Sequence, residues 1–379
     1  MKIWSFDDPQ SFGARTIVRG ALRGMEEYGW HVRAPRLDPA AGMPALKSDL
    51  QAFSPDCVFF VNQPPGLYYA RMGFRPDEWQ SLPYRRLVWI LDDPFILGND
   101  PFHPEDIILI ADPAFETTVR QRGGVQVHFL PVAADIEQPG TIRDQYAAPV
   151  GYVGSVKNMQ DWSRKVPSDL RDYLDRIVAE KVRRPAVPFE QLLQEIPFAP
   201  GRRVTLDGPL AYYLYVMANN RFRIELLEQL VPFGLQLYGG SDWPLFVEHS
   251  ALQHCYRGIL DPITETPDFY RSAAISINLR SLQGFTAPTQ RDFNIPAAGG
   301  FLLSADLGTQ PVASCVPYWE GIRSPTFRDA TEIVKQTQHL LSSSNERMEW
   351  VNSVRQVIHR NHRYVHRVER IAEILTRAM

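Results

Sequence analysis

The chain has 379 residues, 44% of them hydrophobic and 22% charged, with forty basic side chains against forty-three acidic ones. That length exceeds the ~250–300 residues at which a single core stops growing, so two domains are expected, and the composition excludes a disordered chain. A net charge of −3 offers no global field for nucleic acid or an anionic membrane, and no apolar run approaches the ~18–20 residues of a membrane helix.

From the start, Met1 to Phe6 reads as a first strand followed by polar turn residues, not as a signal peptide, which makes a cytoplasmic enzyme the expectation. Cys57, Cys255 and Cys315 lie too far apart for a metal knuckle or a disulfide framework and suit a reducing compartment. Up to residue 135, β-rich runs alternate with helical patterns, the signature of βαβ units and a parallel sheet. The strand candidates are Lys2–Phe6, Trp30–Ala34, Asp56–Val61, Arg86–Leu91, Ile107–Ala111 and Val125–Leu130. Between the first two, Ile17, Val18, Ala21, Leu22, Met25 and Tyr28 share one helical face. Arg15, Arg19 and Arg23 form a stripe elsewhere on that helix, open to reading as a solvated face or as a phosphate contact.

Residues Pro131 to Pro149 carry few large apolar side chains and include Pro139-Gly140, which predicts a linker, placed at 136–149. Gly151-Tyr152-Val153-Gly154-Ser155 then opens a second α/β unit over 150–355, whose Gly-Ser strand end lets backbone amides approach a ligand. A helical insertion follows at about 158–230, interrupted by Pro185, Pro188, Pro197, Pro200 and Pro209. Its many arginines and lysines are interleaved with acids, as on a solvated surface, although a macromolecular acceptor could use them. Strands resume at Leu235–Tyr238, Ile275–Asn278 and Phe301–Ser304, before a long helical tail from Glu346 to Thr376. No repeat of 20–50 residues runs through the chain. The expected architecture is α/β, two doubly wound Rossmann-like halves facing a cleft.

Ligands of open parallel sheets sit outside the carboxyl ends of the strands, at the point where the topology switches. The richest such loop is Ser281 to Thr289, with Gly284, Phe285, Thr286 and Thr289, because it follows the strand holding Asn278 and feeds a helix starting near Gln290. Free amides and the positive end of that helix suit a diphosphate. Next comes Arg291-Asp292-Phe293-Asn294-Ile295-Pro296-Ala297-Ala298-Gly299-Gly300 and an apolar strand. Taken alone, Arg291 could close a salt bridge with Asp292, and Pro296 with Gly299-Gly300 could end a helix tightly.

That segment resembles the donor-binding region of the spore-maturation, CgeB-like glycosyltransferases, which have the GT-B architecture. Other segments agree with the family in order: Gly151 to Ser155, Leu237 to Trp243, Asp268 to Leu279, His362-Arg363-Tyr364-Val365-His366-Arg367, Trp89 to Pro94 and Leu130 to Asp135. The resemblance implies retaining, metal-independent transfer from a nucleotide diphosphate sugar, UDP-sugar first, to an acceptor that is a saccharide, a protein, a small molecule or modified DNA. It places Gly154, Ser155, Arg223, Gly239, Asn278, Asn294, Gly299 and Gly300 with the Gly284 to Thr289 turn at the donor, and Arg291 in catalysis. It also implies that the final helix, 356–379, crosses back to the first domain. Where the related enzymes place a ribose-gripping Glu, this chain has Asn294, shorter and uncharged.

Asp92 and Asp93 end a central strand, where the related enzymes hold the sugar; an Asp-Asp-Pro equally caps a turn. Neither that pair nor Asp7-Asp8 has the further ligands of a metal site. His359, His362 and His366 crowd the last helix without the acidic partner of a zinc motif. A sugar-nucleotide epimerase and a catalytically silent nucleotide-binding module remain as alternatives.

Overall fold

The computed structural model describes residues 1–8, 12–38, 40–199, 204–283, 286–307, 316 and 321–377. Gly284 and Phe285 of the expected donor turn, and Cys315, therefore lie outside the described residues. The chain forms two compact units, one holding Met1–Asp135 with Arg360–Met379, the other most of Ile136–His359.

The first unit is built on six strands, β1 (Lys2–Trp4), β2 (His31–Arg33), β3 (Cys57–Val61), β4 (Arg85–Ile90), β5 (Ile107–Ile110) and β6 (Gln126–Phe129). They lie all parallel in the order β2-β1-β3-β4-β5-β6. Helices cover a parallel sheet on both faces, so its inner strands are continuous apolar runs rather than alternating ones. Cys57 to Phe60, Leu87 to Ile90 and Ile107 to Ile110 are accordingly all buried. On the helix Phe12–Glu27, Ala21, Leu22 and Met25 are buried as their spacing requires. Tyr28 departs from that expectation: it falls one residue past the helix and is 42% exposed, edge-on to Trp30.

The tail is two helices rather than one, Ser344–Asn361 and Tyr364–Arg377, separated at His362-Arg363. The second packs on the helix Phe12–Glu27 through a notch of small residues. A Cβ at Gly20 would lie 2.4 Å from the Tyr364 ring, and one at Gly24 2.8 Å from the Tyr364 backbone, so nothing larger than glycine fits. Arg367, a buried residue of this second helix, donates to the carbonyls of Pro131 (2.8 Å) and Val132 (3.1 Å), and burial pulls its pKa down to about 10. The Tyr and Arg of the His-x-Tyr-x-x-Arg pattern thus hold the first unit together.

The second unit carries β7 (Ala148–Val153), β8 (Leu235–Tyr238), β9 (Ala273–Asn278), β10 (Leu302–Ala305) and β11 (Thr326–Phe327), parallel in the order β11-β10-β9-β7-β8. The two-residue β11 has no apolar signal in the sequence and is defined by its pairing with Ser304 and Ala305. Residues 136–149 are packed along this unit, and β7 starts within them. Arg143 pairs with Asp268, the Thr141 amide donates to Asp268 at 2.7 Å, and Tyr146 enters an aromatic cluster with Tyr238 and Phe269. One large ring and one ion pair suffice to anchor a stretch that is otherwise poor in apolar residues.

Between β7 and β8 run the helices Gln160–Lys165, Ser168–Arg183, Phe189–Glu195 and Gly208–Glu228, with no strand among the described residues. Pro188 and Pro209 stand at helix starts, where a missing amide costs nothing, so they begin helices rather than break them. The last helix, capped by Asp207, is buried on nearly every face, and Asn219 and Asn220 lie buried in its middle.

Candidate functional site

From β7 the chain passes to β8 on one side, then crosses to β9 on the other. The loops after β7 and β9 therefore diverge and leave the crevice in which parallel sheets bind ligands.

The loop after β7 is tied down by three successive carbonyls. Val153 accepts from Arg291 Nη1 at 3.3 Å, Gly154 from the Trp243 indole at 2.7 Å, and Ser155 from Arg223 Nη1. Glycine is required by space here: a Cβ on Gly154 would come 2.3 Å from the Tyr152 hydroxyl oxygen, and one on Gly239 only 1.6 Å from the Gly154 carbonyl oxygen. The Gly240 amide completes the join by donating to Ser155 Oγ at 3.2 Å.

Arg223 and Arg291 thus converge from two helices on either side of Gly154. Among the described residues neither has a carboxylate within salt-bridge distance; their partners are carbonyls, and Arg291 lies 5.9 Å from the Tyr152 ring centre. Burial lowers the Arg223 pKa, and the neighbouring Arg291 lowers it further. A guanidinium offers N–H donors in a planar fork, so two of them near one another suit an oxyanion of more than one charge.

Arg291 lies in the first turn of the helix Gln290–Ala297, and a capping network sets its position. Asp292 accepts from the Thr289 amide at 2.7 Å and the Thr289 hydroxyl at 3.0 Å. The salt bridge to Asp292 comes from Arg280 at 3.3 Å, both side chains buried, and not from Arg291, whose side chain turns toward β7. Asn278, fully buried, donates to Thr289 at 3.2 Å and to Ser304 at 3.3 Å, joining the ends of β9 and β10 to the helix start. Asn294 follows Arg291 by three positions and so shares its helix face, half-buried; Thr286 is half-buried before the cap.

Gly299 and Gly300 are not brought to this place. They end the same helix at its far end, where Gly299 adopts φ 85° and its carbonyl accepts from Arg271 at 2.8 Å. A Cβ on Gly300 would lie 2.4 Å from the Tyr270 carbonyl oxygen. The tight helix ending is what these two glycines provide.

Sequence reading missed the braces behind the loops. Asn220 grips Lys157 at both its amide (3.1 Å) and its carbonyl (2.7 Å), while Asn219 accepts from the Leu282 amide at 2.8 Å and donates to Ser281 at 3.2 Å. One buried helix therefore holds the loops after β7 and β9. The available signal was two adjacent asparagines in an apolar helix, where an amide persists only if it is hydrogen-bonded.

In the first unit, Asp92 and Asp93 follow β4. Asp92 accepts from Asn62 Nδ2 at 2.7 Å, and Asp93 accepts from the Phe95 amide at 2.9 Å, which is the turn-capping arrangement.

Residues 216–373 match the family described as glycosyl transferase-like. Among curated proteins no sequence matches the chain. Among the solved structures similar over essentially the whole length are the following three. Sucrose-phosphate synthase from Thermosynechococcus elongatus aligns with a TM-score of 0.58 at 11% identity, over 100% of this chain and 98% of that one. The catalytic domain of starch synthase IV from Arabidopsis thaliana, bound to ADP and acarbose, aligns at 0.55 and 8%, over 100% and 98%. HepE from Anabaena, in complex with UDP-glucose, aligns at 0.54 and 12%, over 99% of each chain. The fold is GT-B-like. The expectation of two doubly wound parallel sheets is borne out, and in this GT-B-like chain the family match takes in Arg223, Arg291 and the strands β8 to β11.

Proposed function

We propose that the protein is a glycosyltransferase that takes its sugar from a nucleotide diphosphate sugar bound to the second unit. The observation that carries this is the Arg223–Arg291 pair, which has no carboxylate in salt-bridge distance among the described residues and stands at the topological switch point. The match of residues 216–373 to a glycosyl transferase-like family supports the reaction class. Loss of the diphosphate is the difficult step in glycosyl transfer, and preorganised cations with a helix N-terminus stabilise the charge that develops. Arg291 and Arg223 hold the diphosphate in this reading, Ser155 and Thr286 line it, and Asn294 meets the ribose hydroxyls. Transfer is retaining and metal-independent, as for the CgeB-like enzymes that the chain resembles. Asp92 and Asp93 are left outside the machinery: Asn62 donates to Asp92, and Asp93 caps the turn at the Phe95 amide.

The test is a thermal-shift screen with UDP-, GDP-, TDP-, ADP- and CMP-sugars, UDP-sugars first. A ligand at about 100 times its dissociation constant adds about 2.7 kcal/mol, a clear rise in melting temperature. No shift with any of the five classes overturns the proposal.

A further inference from the structure

Tyr152 stands one residue before the end of β7, fully buried, with its ring edge-on to Trp243 at 6.5 Å. Phenylalanine would supply the same ring to that packing. The hydroxyl adds nothing to it: among the described residues it makes no hydrogen bond, and it is shut in beneath Gly154, where a Cβ would lie 2.3 Å from the oxygen. A buried polar group left unpaired lowers stability, so its presence asks for a use other than stability.

Its neighbours are the two arginines. The Arg291 guanidinium lies 5.9 Å from the centre of the Tyr152 ring and within reach of the hydroxyl, though out of hydrogen-bond geometry. Arg223 comes to the same strand end from another helix, at the Ser155 carbonyl, and Tyr152 bears on its charge as well. We infer that Tyr152 is a positioning residue of this pair: its hydroxyl is the acceptor against which Arg291 settles when a diphosphate is bound, an inference that rests on the donor reading above.

A guanidinium carries several N–H donors and no acceptor. When one edge of the Arg291 fork faces a phosphate, the donors left over point back toward β7 and need acceptors there. The Gly154 carbonyl is engaged by Trp243 at 2.7 Å and the Ser155 carbonyl by Arg223. What remains on that side is the Val153 carbonyl, which Arg291 already meets at a long 3.3 Å, and the unpaired Tyr152 oxygen. One long bond lets the fork swing about it, whereas a second acceptor fixes its plane, and a fixed fork lowers the ordering cost of binding. Since Gly154 covers the hydroxyl, the effect reaches the ligand through Arg291 and not by contact.

Calorimetry with inorganic pyrophosphate on the full chain tests this, in the unaltered protein, Tyr152→Phe, Arg291→Ala and the double variant. Tyr152→Phe is expected to bind pyrophosphate about tenfold more weakly, as when a hydrogen bond to a charged group is lost, while its melting temperature holds or rises because a buried unpaired hydroxyl has gone. In the Arg291→Ala background the same change is expected to cost no further affinity, because the hydroxyl acts through that arginine. Pyrophosphate bound as tightly by Tyr152→Phe as by the unaltered chain, losses that add in the double variant, or a melting temperature that falls together with binding overturns the inference. So does an unaltered chain that binds no pyrophosphate while a nucleotide still produces a thermal shift, which leaves the donor reading in place. A tenfold loss of pyrophosphate binding in Tyr152→Phe when no nucleotide produces a shift supports the role of Tyr152 and removes the donor reading instead.

Discussion

At the switch point of the first unit an aspartate and an arginine neutralise one another beside an aromatic wall, whereas at that of the second two arginines bond to backbone carbonyls, with no carboxylate in salt-bridge distance among the described residues. The sheets around them are alike: parallel, doubly wound, with the ligand edge formed where the chain reverses direction across the sheet. In the proposed reading topology determines where the nucleotide sits, and the charge at that place determines its kind. The second unit commits the buried Asp292 to Arg280 and the helix cap, and among the described residues no carboxylate lies within salt-bridge distance of Arg291.

The comparison is broken most severely by removing that carboxylate. Asp292→Ala takes away the Thr289 cap and strands Arg280 as a buried unpaired charge, which costs about 3–5 kcal/mol of folding stability. Urea denaturation measures it, and a loss below about 1 kcal/mol would mean that the capping network does not hold the site. Replacing both Arg223 and Arg291 by Ala is expected to weaken UDP binding by about 2–4 kcal/mol, as charge-assisted hydrogen bonds are lost. Calorimetry with UDP reads this, and unchanged affinity would remove the contrast between the two units. Gly239→Ala forces a methyl group against the Gly154 carbonyl and should cost about 1–3 kcal/mol in stability by overpacking, seen as a lower melting temperature. The smallest effect is expected from Asn294→Ala, about 0.5–1.5 kcal/mol in nucleotide affinity for one neutral hydrogen bond. A matched titration with a 2′,3′-dideoxy nucleotide sharpens it, because the variant and the dideoxy ligand should lose the same increment and lose it only once.

Much of the site was legible in sequence because its residues follow strand ends, and strand ends are marked by where apolar runs stop. Gly154, Ser155, Gly239, Asn278 and the turn before Gln290 were singled out in this way, and the structure sets the described ones at the ends of β7, β8 and β9. Gly299 and Gly300 were drawn in by proximity in sequence, yet a helix of eight residues carries them to its opposite end. The braces Asn219 and Asn220 were missed because their partners, Lys157 and Leu282, are more than sixty residues away. For the same reason the anchoring of 136–149 by Tyr146 and Arg143 did not show: both partners lie in the segment around Phe269.

The α/β alternation and the parallel sheets are written in the chain itself, since hydrophobic period and the loop lengths of βαβ connections are local properties. Folding assigns the buried carboxylate to Arg280 and turns Arg291 toward Val153. Arg280 and Arg291 both stand near Asp292 in the chain, and nothing local distinguishes them. The helix start directs Asp292 toward Thr289, Ser304 and Arg280, and Arg291, one residue earlier on the turn, is rotated by about 100° toward β7, as the 3.6-residue period of a helix requires.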